Sequence, residues 1–211
     1  MNYVLLKIWP GALEELKTAV ALNPRNAELY YELARLYYTY QARVTESIAA
    51  SEKALALFPE YTEVYSNLGL CYEVLAQHDR ARENYERAIE LTEKSGSPDE
   101  WPYINYAAFL IKQGETEHSL PLLEKALARN PKSLRAHYET GRALRKLNRT
   151  SEAQRYLEEA IRLDHDEPGA YFELGMLLNK QDPARSRQLL DRYRVLQERE
   201  RSQPAATQEG R

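Results

Sequence analysis

The chain has 211 residues, with 29 Lys and Arg against 32 Asp and Glu, and a net charge of −3 excludes a nucleic-acid binder that works by overall basicity. A single cysteine excludes an internal disulfide framework or a multi-thiolate zinc site, and no apolar run approaches the ~18 residues of a membrane helix. Eight glycines, about half the usual share of roughly 7%, point to helices, while 16 tyrosines beside 3 phenylalanines call for a physical explanation.

Residues 1–7 carry no basic n-region and place Lys7 inside a short apolar stretch, so they do not read as a signal peptide and a cytoplasmic location is the default expectation. Further along, Ala21-Leu22-Asn23-Pro24, Ala56-Leu57-Phe58-Pro59 and Ala128-Arg129-Asn130-Pro131 recur at separations of 35 and 72. A fourth phrase, Ile161-Arg162-Leu163-Asp164-His165, follows 34 residues later with His165 in the proline's place. A period near 34 residues places the helices in order. Residues 1–7 are expected to be the stump of a first helix and 10–22 the second helix of a half unit. Five helix pairs follow at 27–40 with 45–57, 62–76 with 79–94, 100–113 with 116–129, 134–147 with 150–163, and 168–180 with 183–200. The first pair has an extra residue in its turn, within Tyr40–Thr45, and the second ends in a longer loop, Ser95-Gly96-Ser97-Pro98-Asp99. The fifth turn is shorter by one, with Asp182 as N-cap and Pro183 at the first helical position. Pro121 falls early in its helix, where few backbone N–H groups have partners.

Aligned on this period, the first helices share columns. Tyr30, Tyr65, Tyr103, His137 and Tyr171 open them; Leu33, Leu68, Tyr106, Thr140 and Leu174 follow; small Ala34, Gly69, Ala107, Gly141 and Gly175 come next, then Tyr37, Tyr72, Leu110, Leu144 and Leu178. Offsets of three, four and seven mark one helical face. The second helices carry small Ala12, Ser47, Ala81, Ser119 and Ala153, then Leu16, Ser51, Tyr85, Leu123 and Leu157, then Ala19, Ala54, Ala88, Ala126 and Ala160. A small residue fixed in place lets two backbones approach, and a large one beside it fills the space beyond. Eight tyrosines are thereby assigned to packing columns.

The run Tyr65-x2-Leu68-Gly69-x2-Tyr72…Ala81-x3-Tyr85 resembles the tetratricopeptide repeat (TPR), and the resemblance extends over about residues 1–195. It implies an all-α fold, a right-handed α-solenoid of about five and a half helix-turn-helix units. The expected division is one solenoid over 1–201, with a partial unit at 1–24 and repeats at 25–59, 60–95, 100–131, 132–166 and 167–201, and a disordered tail at 202–211.

Catalysis finds no support. The four histidines stand in different repeats, Cys71 sits mid-helix without a neighbouring histidine, and no glycine-rich loop exists to cradle phosphate. No catalytic residue, metal site or cofactor is therefore expected. Members of the resembled family hold partner peptides in a concave groove lined by the first helices, which implies a protein or peptide partner. The positions flanking the packing columns are Tyr31, Arg35, Tyr38, Asn67, Trp101, Asn105, Lys112, Arg135, Tyr138, Arg142 and Arg145. The asparagines suit an extended peptide backbone. The arginines, with Glu139 among them, suit an acidic segment, and reversing Arg142 and Arg145 to Glu is expected to weaken such a ligand at unchanged melting temperature. Only Asn67 fits the carboxylate clamp of chaperone-binding relatives, so recognition of chaperone tails is not expected. The leading expectation is a non-enzymatic interaction scaffold. The alternatives are a recruiting or regulatory part of a larger enzyme or secretion machine, and a module that self-associates through the apolar patch Tyr3, Val4, Leu5, Leu6, Ile8 and Trp9.

Overall fold

The structure, a computed structural model, describes residues 5–41 and 43–202, with side chains over 11–39 and 43–202. The apolar patch between Tyr3 and Trp9 and the tail beyond Ser202 lie outside these side chains. Eleven α-helices are present among the described residues: α1 (Leu5–Leu22), α2 (Ala27–Gln41), α3 (Val44–Leu57), α4 (Thr62–Val74), α5 (His78–Ser95), α6 (Trp101–Gln113), α7 (Thr116–Arg129), α8 (Leu134–Lys146), α9 (Thr150–Leu163), α10 (Pro168–Leu178) and α11 (Pro183–Ser202). From α2 onward, the ends expected from the period agree with these to within two residues.

α1 corrects the sequence reading. Residues 5–22 form one helix that runs through Pro10, not a stump followed by a second helix. The helix continues even through the turn-prone pair Pro10-Gly11: proline's fixed φ is helical, so the chain forfeits one hydrogen bond and goes on. Pro121 also lies deeper than expected. It is the sixth residue of α7, past the first turn, and it removes a donor that would have reached the Glu117 carbonyl.

Contacts gather into two units, one through Ser97 and one from Pro98. In the N-terminal unit α2 pairs with α3 and α4 with α5, while α1 packs on α2, α3 on α4, and α2 touches α4. In the C-terminal unit the pairs are α6–α7, α8–α9 and α10–α11. Here α7 packs on α8 and α9 on α10, and the first helices α6, α8 and α10 pack on one another more closely than the second helices do. Within this unit the row α6–α8–α10 therefore lies on the inner side of the curve.

The columns explain why the pairs form. Ala54, Ala88, Ala126 and Ala160 are fully buried, as are Ser51, Tyr85, Leu123 and Leu157. Close approach is enforced at the small column: a Cβ built on Gly69 would stand 2.5 Å from the Tyr85 ring, and one on Gly141 would stand 2.5 Å from Leu157 Cγ. Of the serines that replace alanine on the second helix, two send their hydroxyls across the pair, Ser47 to the Ala34 carbonyl at 2.8 Å and Ser186 to the Gly175 carbonyl at 2.7 Å, while Ser119 donates to the Thr116 carbonyl of its own helix at 2.6 Å.

Turn lengths show the same register. The residue opening the second helix's cap donates back to the last packing column: Gln77 N to Tyr72 O, Glu115 N to Leu110 O and Arg149 N to Leu144 O. In the first pair the corresponding bond is Arg43 N to Tyr37 O, one residue longer, and in the fifth it is Asp182 N to Leu178 O, one shorter. Asp182 Oδ1 accepts from Arg185 N at 3.0 Å, which makes it the N-cap of α11.

The opening column accounts for much of the tyrosine content. Tyr65 Oη donates to the Pro59 carbonyl at 3.0 Å and Tyr171 Oη to the His165 carbonyl at 3.2 Å, and His137 Nε2 meets the Pro131 carbonyl at 2.9 Å. Each reaches back six residues to the proline position, so the ring tethers its helix to the preceding connection. Cations from the second helix cover three of these rings: Lys53 lies over Tyr30, Arg87 over Tyr65 and Lys125 over Tyr103.

Candidate functional site

Four of the residues singled out in sequence fall in the N-terminal unit. Tyr31 is half-buried on α2, with its ring 5.1 Å from that of Tyr61, and burial pushes its hydroxyl pKa up to about 12. Arg35 is exposed, pairs with Glu32 at 2.9 Å, and lies 5.7 Å from the Tyr31 ring centre. Tyr38 is half-buried, and burial raises its hydroxyl above the ordinary range. Asn67 behaves differently from the reading of its sequence position. It is buried, and its amide donates to the Ser47 and Ser51 hydroxyls on α3 at 3.1 and 3.0 Å. Cys71 completes this internal polar group, its thiol 3.3 Å from the Ser47 hydroxyl and pushed above its ordinary pKa by burial. The Asn67 amide is thus satisfied within the fold.

The other seven lie in the C-terminal unit on α6 and α8. Trp101 opens α6 with half its surface exposed. One turn on, Asn105 is half-buried, and its amide makes no hydrogen bond among the described residues. Lys112, at the end of α6, is exposed and acts on Glu139. On α8, Glu139 is fully buried, with Arg135 Nη2 at 2.8 Å from one oxygen and Arg142 Nη1 donating to the other at 2.8 Å. Burial raises the Glu139 carboxyl above its ordinary pKa against the pull of these arginines. Tyr138 is half-buried beside them, with Arg135 5.2 Å from its ring centre. Arg145 reaches across to α10 and pairs with Glu173, itself buried. Lys146 donates to the Ile111 carbonyl of α6 at 3.0 Å.

The basic wall is therefore part of the packing between first helices. Arg142 keeps only 16% of its side chain exposed, and its partner carboxylate has none. Reversing Arg142 and Arg145 would place carboxylates against buried Glu139 and Glu173, so an unchanged melting temperature is not expected. The Glu139 cluster is legible in spacing, since Arg135 and Arg142 stand at i−4 and i+3. The Arg145–Glu173 pair, 28 residues apart, shows only once Glu173 is set one period after Glu139. On α10, Phe172 and Met176 add apolar surface, 37% and 45% exposed.

Four cations (Lys112, Arg135, Arg142 and Arg145) thus act on two buried carboxylates on one row of first helices, with Lys146 on the Ile111 carbonyl beside them and aromatic and thioether surface flanking. Among the described residues no group of three or more His, Cys, Asp or Glu is placed to hold a metal, and no helix is long and apolar enough to cross a membrane.

Helix pairs with a small residue at each crossing and a repeated cap define a helical-repeat protein. The chain belongs to the tetratricopeptide repeat family: models described as tetratricopeptide repeat match residues 60–132 and 110–178, and a TPR-repeat model matches 3–41. It is 25% identical over 181 residues to the human protein O-mannosyl-transferase TMTC3, a match covering 83% of this chain and 19% of that protein. The chain thus spans about a fifth of the length of that relative. It is also 23% identical over 156 residues to the type IV pilus assembly protein PilF of Pseudomonas aeruginosa, which covers 73% of this chain and 60% of PilF. Among solved structures, PilF superposes with a TM-score of 0.72 at 22% identity over 80% of this chain and 75% of that one. YrrB, described as a TPR protein with an unusual peptide-binding site, superposes at 0.61 with 21% identity over 88% of this chain and 94% of that one.

Proposed function

We propose that the chain is a non-enzymatic protein-binding scaffold and that the row α6–α8–α10 receives an extended partner segment carrying acidic side chains. The observation that carries this reading is the surplus of cations over carboxylates on that row, beside half-exposed Trp101. Arg135, Lys112 and the outward edges of Arg142 and Arg145 supply charge for a carboxylate. Asn105 supplies an unspent amide for the peptide backbone. Trp101 and Tyr138 supply aromatic contact of the kind that dominates binding energy at interfaces. A peptide-binding site in YrrB is consistent with such a role for the fold. In the N-terminal unit, Tyr31, Arg35 and Tyr38 are the first-helix positions available for contact.

Calorimetry with synthetic peptides of one length, rich in Glu, Gln or Lys, tests the reading. The Glu-rich peptide should bind most tightly, and Trp101→Ala and Asn105→Ala should each weaken it by ~5-fold or more while leaving the melting temperature nearly unchanged. Equal affinity in both variants would remove this row from the site.

A second reading, a recruiting part of a larger enzyme or assembly machine, is favoured by the length of the human relative, of which the chain covers 19%. Sequencing the transcript on both sides of this reading frame tests it. An adjoining catalytic or membrane domain would support it, and stop codons on both sides would count against it.

A further inference from the structure

We propose that a hollow in the N-terminal unit, where the α1–α2 and α3–α4 connections meet, binds a lysine or arginine side chain of an extended partner segment. The hollow has a volume of about 550 Å³, is open to solvent, and is lined by Glu28, Phe58 and Tyr61 among others. Phe58 caps the end of α3, its N–H donating to the Ala54 carbonyl, and Tyr61 caps the start of α4, so both rings spring from backbone held at helix ends. Phe58 is 49% exposed, its ring centre lies 5.6 Å from that of Tyr61, and Tyr61 lies 5.1 Å from Tyr31. Three aromatic side chains thus run contiguously from α2 to the edge of the unit. No helix covers Phe58 in the way that Tyr85 or Tyr103 is covered.

Charge selects the occupant. Glu28 lines the hollow, and burial first, with Glu63, Glu28 and Glu32 acting in the same sense, holds the Tyr61 hydroxyl above its ordinary pKa. Against these three carboxylates stand two cations, Arg25 in the lining and Arg35, which is engaged by Glu32 at 2.9 and 3.2 Å. A carboxylate surplus beside aromatic faces favours a cation, because the ring quadrupole and the neighbouring charges act in the same sense. The same aromatic run already shows this preference: Arg35 lies 5.7 Å from the Tyr31 ring centre. Lysine and arginine also carry aliphatic stems that suit the Phe58 surface while the charged head stays near Glu28. The proposal is independent of the reading of α6–α8–α10, since every residue it uses belongs to the unit ending at Ser97.

The test titrates the full chain with three synthetic pentapeptides, Gly-Gly-X-Gly-Gly with X as lysine, arginine or norleucine, followed by amide chemical shifts at millimolar peptide. The lysine and arginine peptides should shift the amides of Glu28, Phe58 and Tyr61, and norleucine should not. Phe58→Ala and Glu28→Gln, both changes at exposed side chains, should each weaken the lysine peptide by ~5-fold with unchanged thermal unfolding. Norleucine binding as tightly as lysine would show an apolar hollow only. Unaltered lysine affinity in both variants, or no shift at these residues, would overturn the proposal.

Discussion

Glu139 has no surface in water, yet it carries a carboxyl held between Arg135 and Arg142. Burial dominates its titration and raises its pKa above the ordinary 4.5, so the folded chain binds this proton more tightly than the unfolded chain. The stability that Glu139 contributes is therefore fully present below the unfolded value and is lost as pH rises through the raised one. Denaturant unfolding of the wild type and Glu139→Gln at several pH values isolates the effect. The difference between them should move against the wild type as pH rises from about 4 to about 7. A difference moving the other way would show that the arginines, not burial, set this titration. Residues of this kind were half legible in sequence. The Arg135–Glu139–Arg142 spacing is local and was visible, whereas the fate of Asn67 depended on Ser47 and Ser51, serines on α3 about half a period away. Asn67 and Asn105 occupy equivalent places in their helices. Only Asn67 meets two hydroxyls.

Among the elements, α7 tolerates a fault that its neighbours lack. Pro121 breaks one backbone hydrogen bond and presses on the preceding turn, and its own side chain is exposed, so packing recovers little. Pro121→Ala should raise the unfolding free energy by ~1–3 kcal/mol, measured as a higher urea midpoint at unchanged slope. A lower midpoint would mean that the ring makes a contact worth more than the lost bond. Helix ends were legible chiefly through the repeat period, and at some of them nearby chemistry agrees: Asp182 before Pro183, Ser133 capping α8 through Ala136 N, and Gly114 with φ near 84° closing α6. The start of α1 was misplaced. A register carried over from the repeat, together with the Pro10-Gly11 pair, asked for a turn near residues 8–9, but the helix runs through it.

At the scale of the molecule, consecutive helix pairs leave each first helix with one face spent on packing, and the proposed function uses the other. In the C-terminal unit that face is basic and aromatic, and its charges are tied into buried carboxylates that also hold α8 and α10 together. On the proposed reading Arg142 and Arg145 serve both binding and stability, whereas Trp101 and Asn105 hold no buried carboxylate and are the better probes of recognition. The most direct measurement is amide and indole chemical-shift mapping of the full chain with the Glu-rich peptide. The account predicts shifts concentrated on α6, α8 and α10, including the Trp101 indole and the Asn105 side-chain amide. Shifts confined to α7, α9 and α11, or none at saturating peptide, would contradict it.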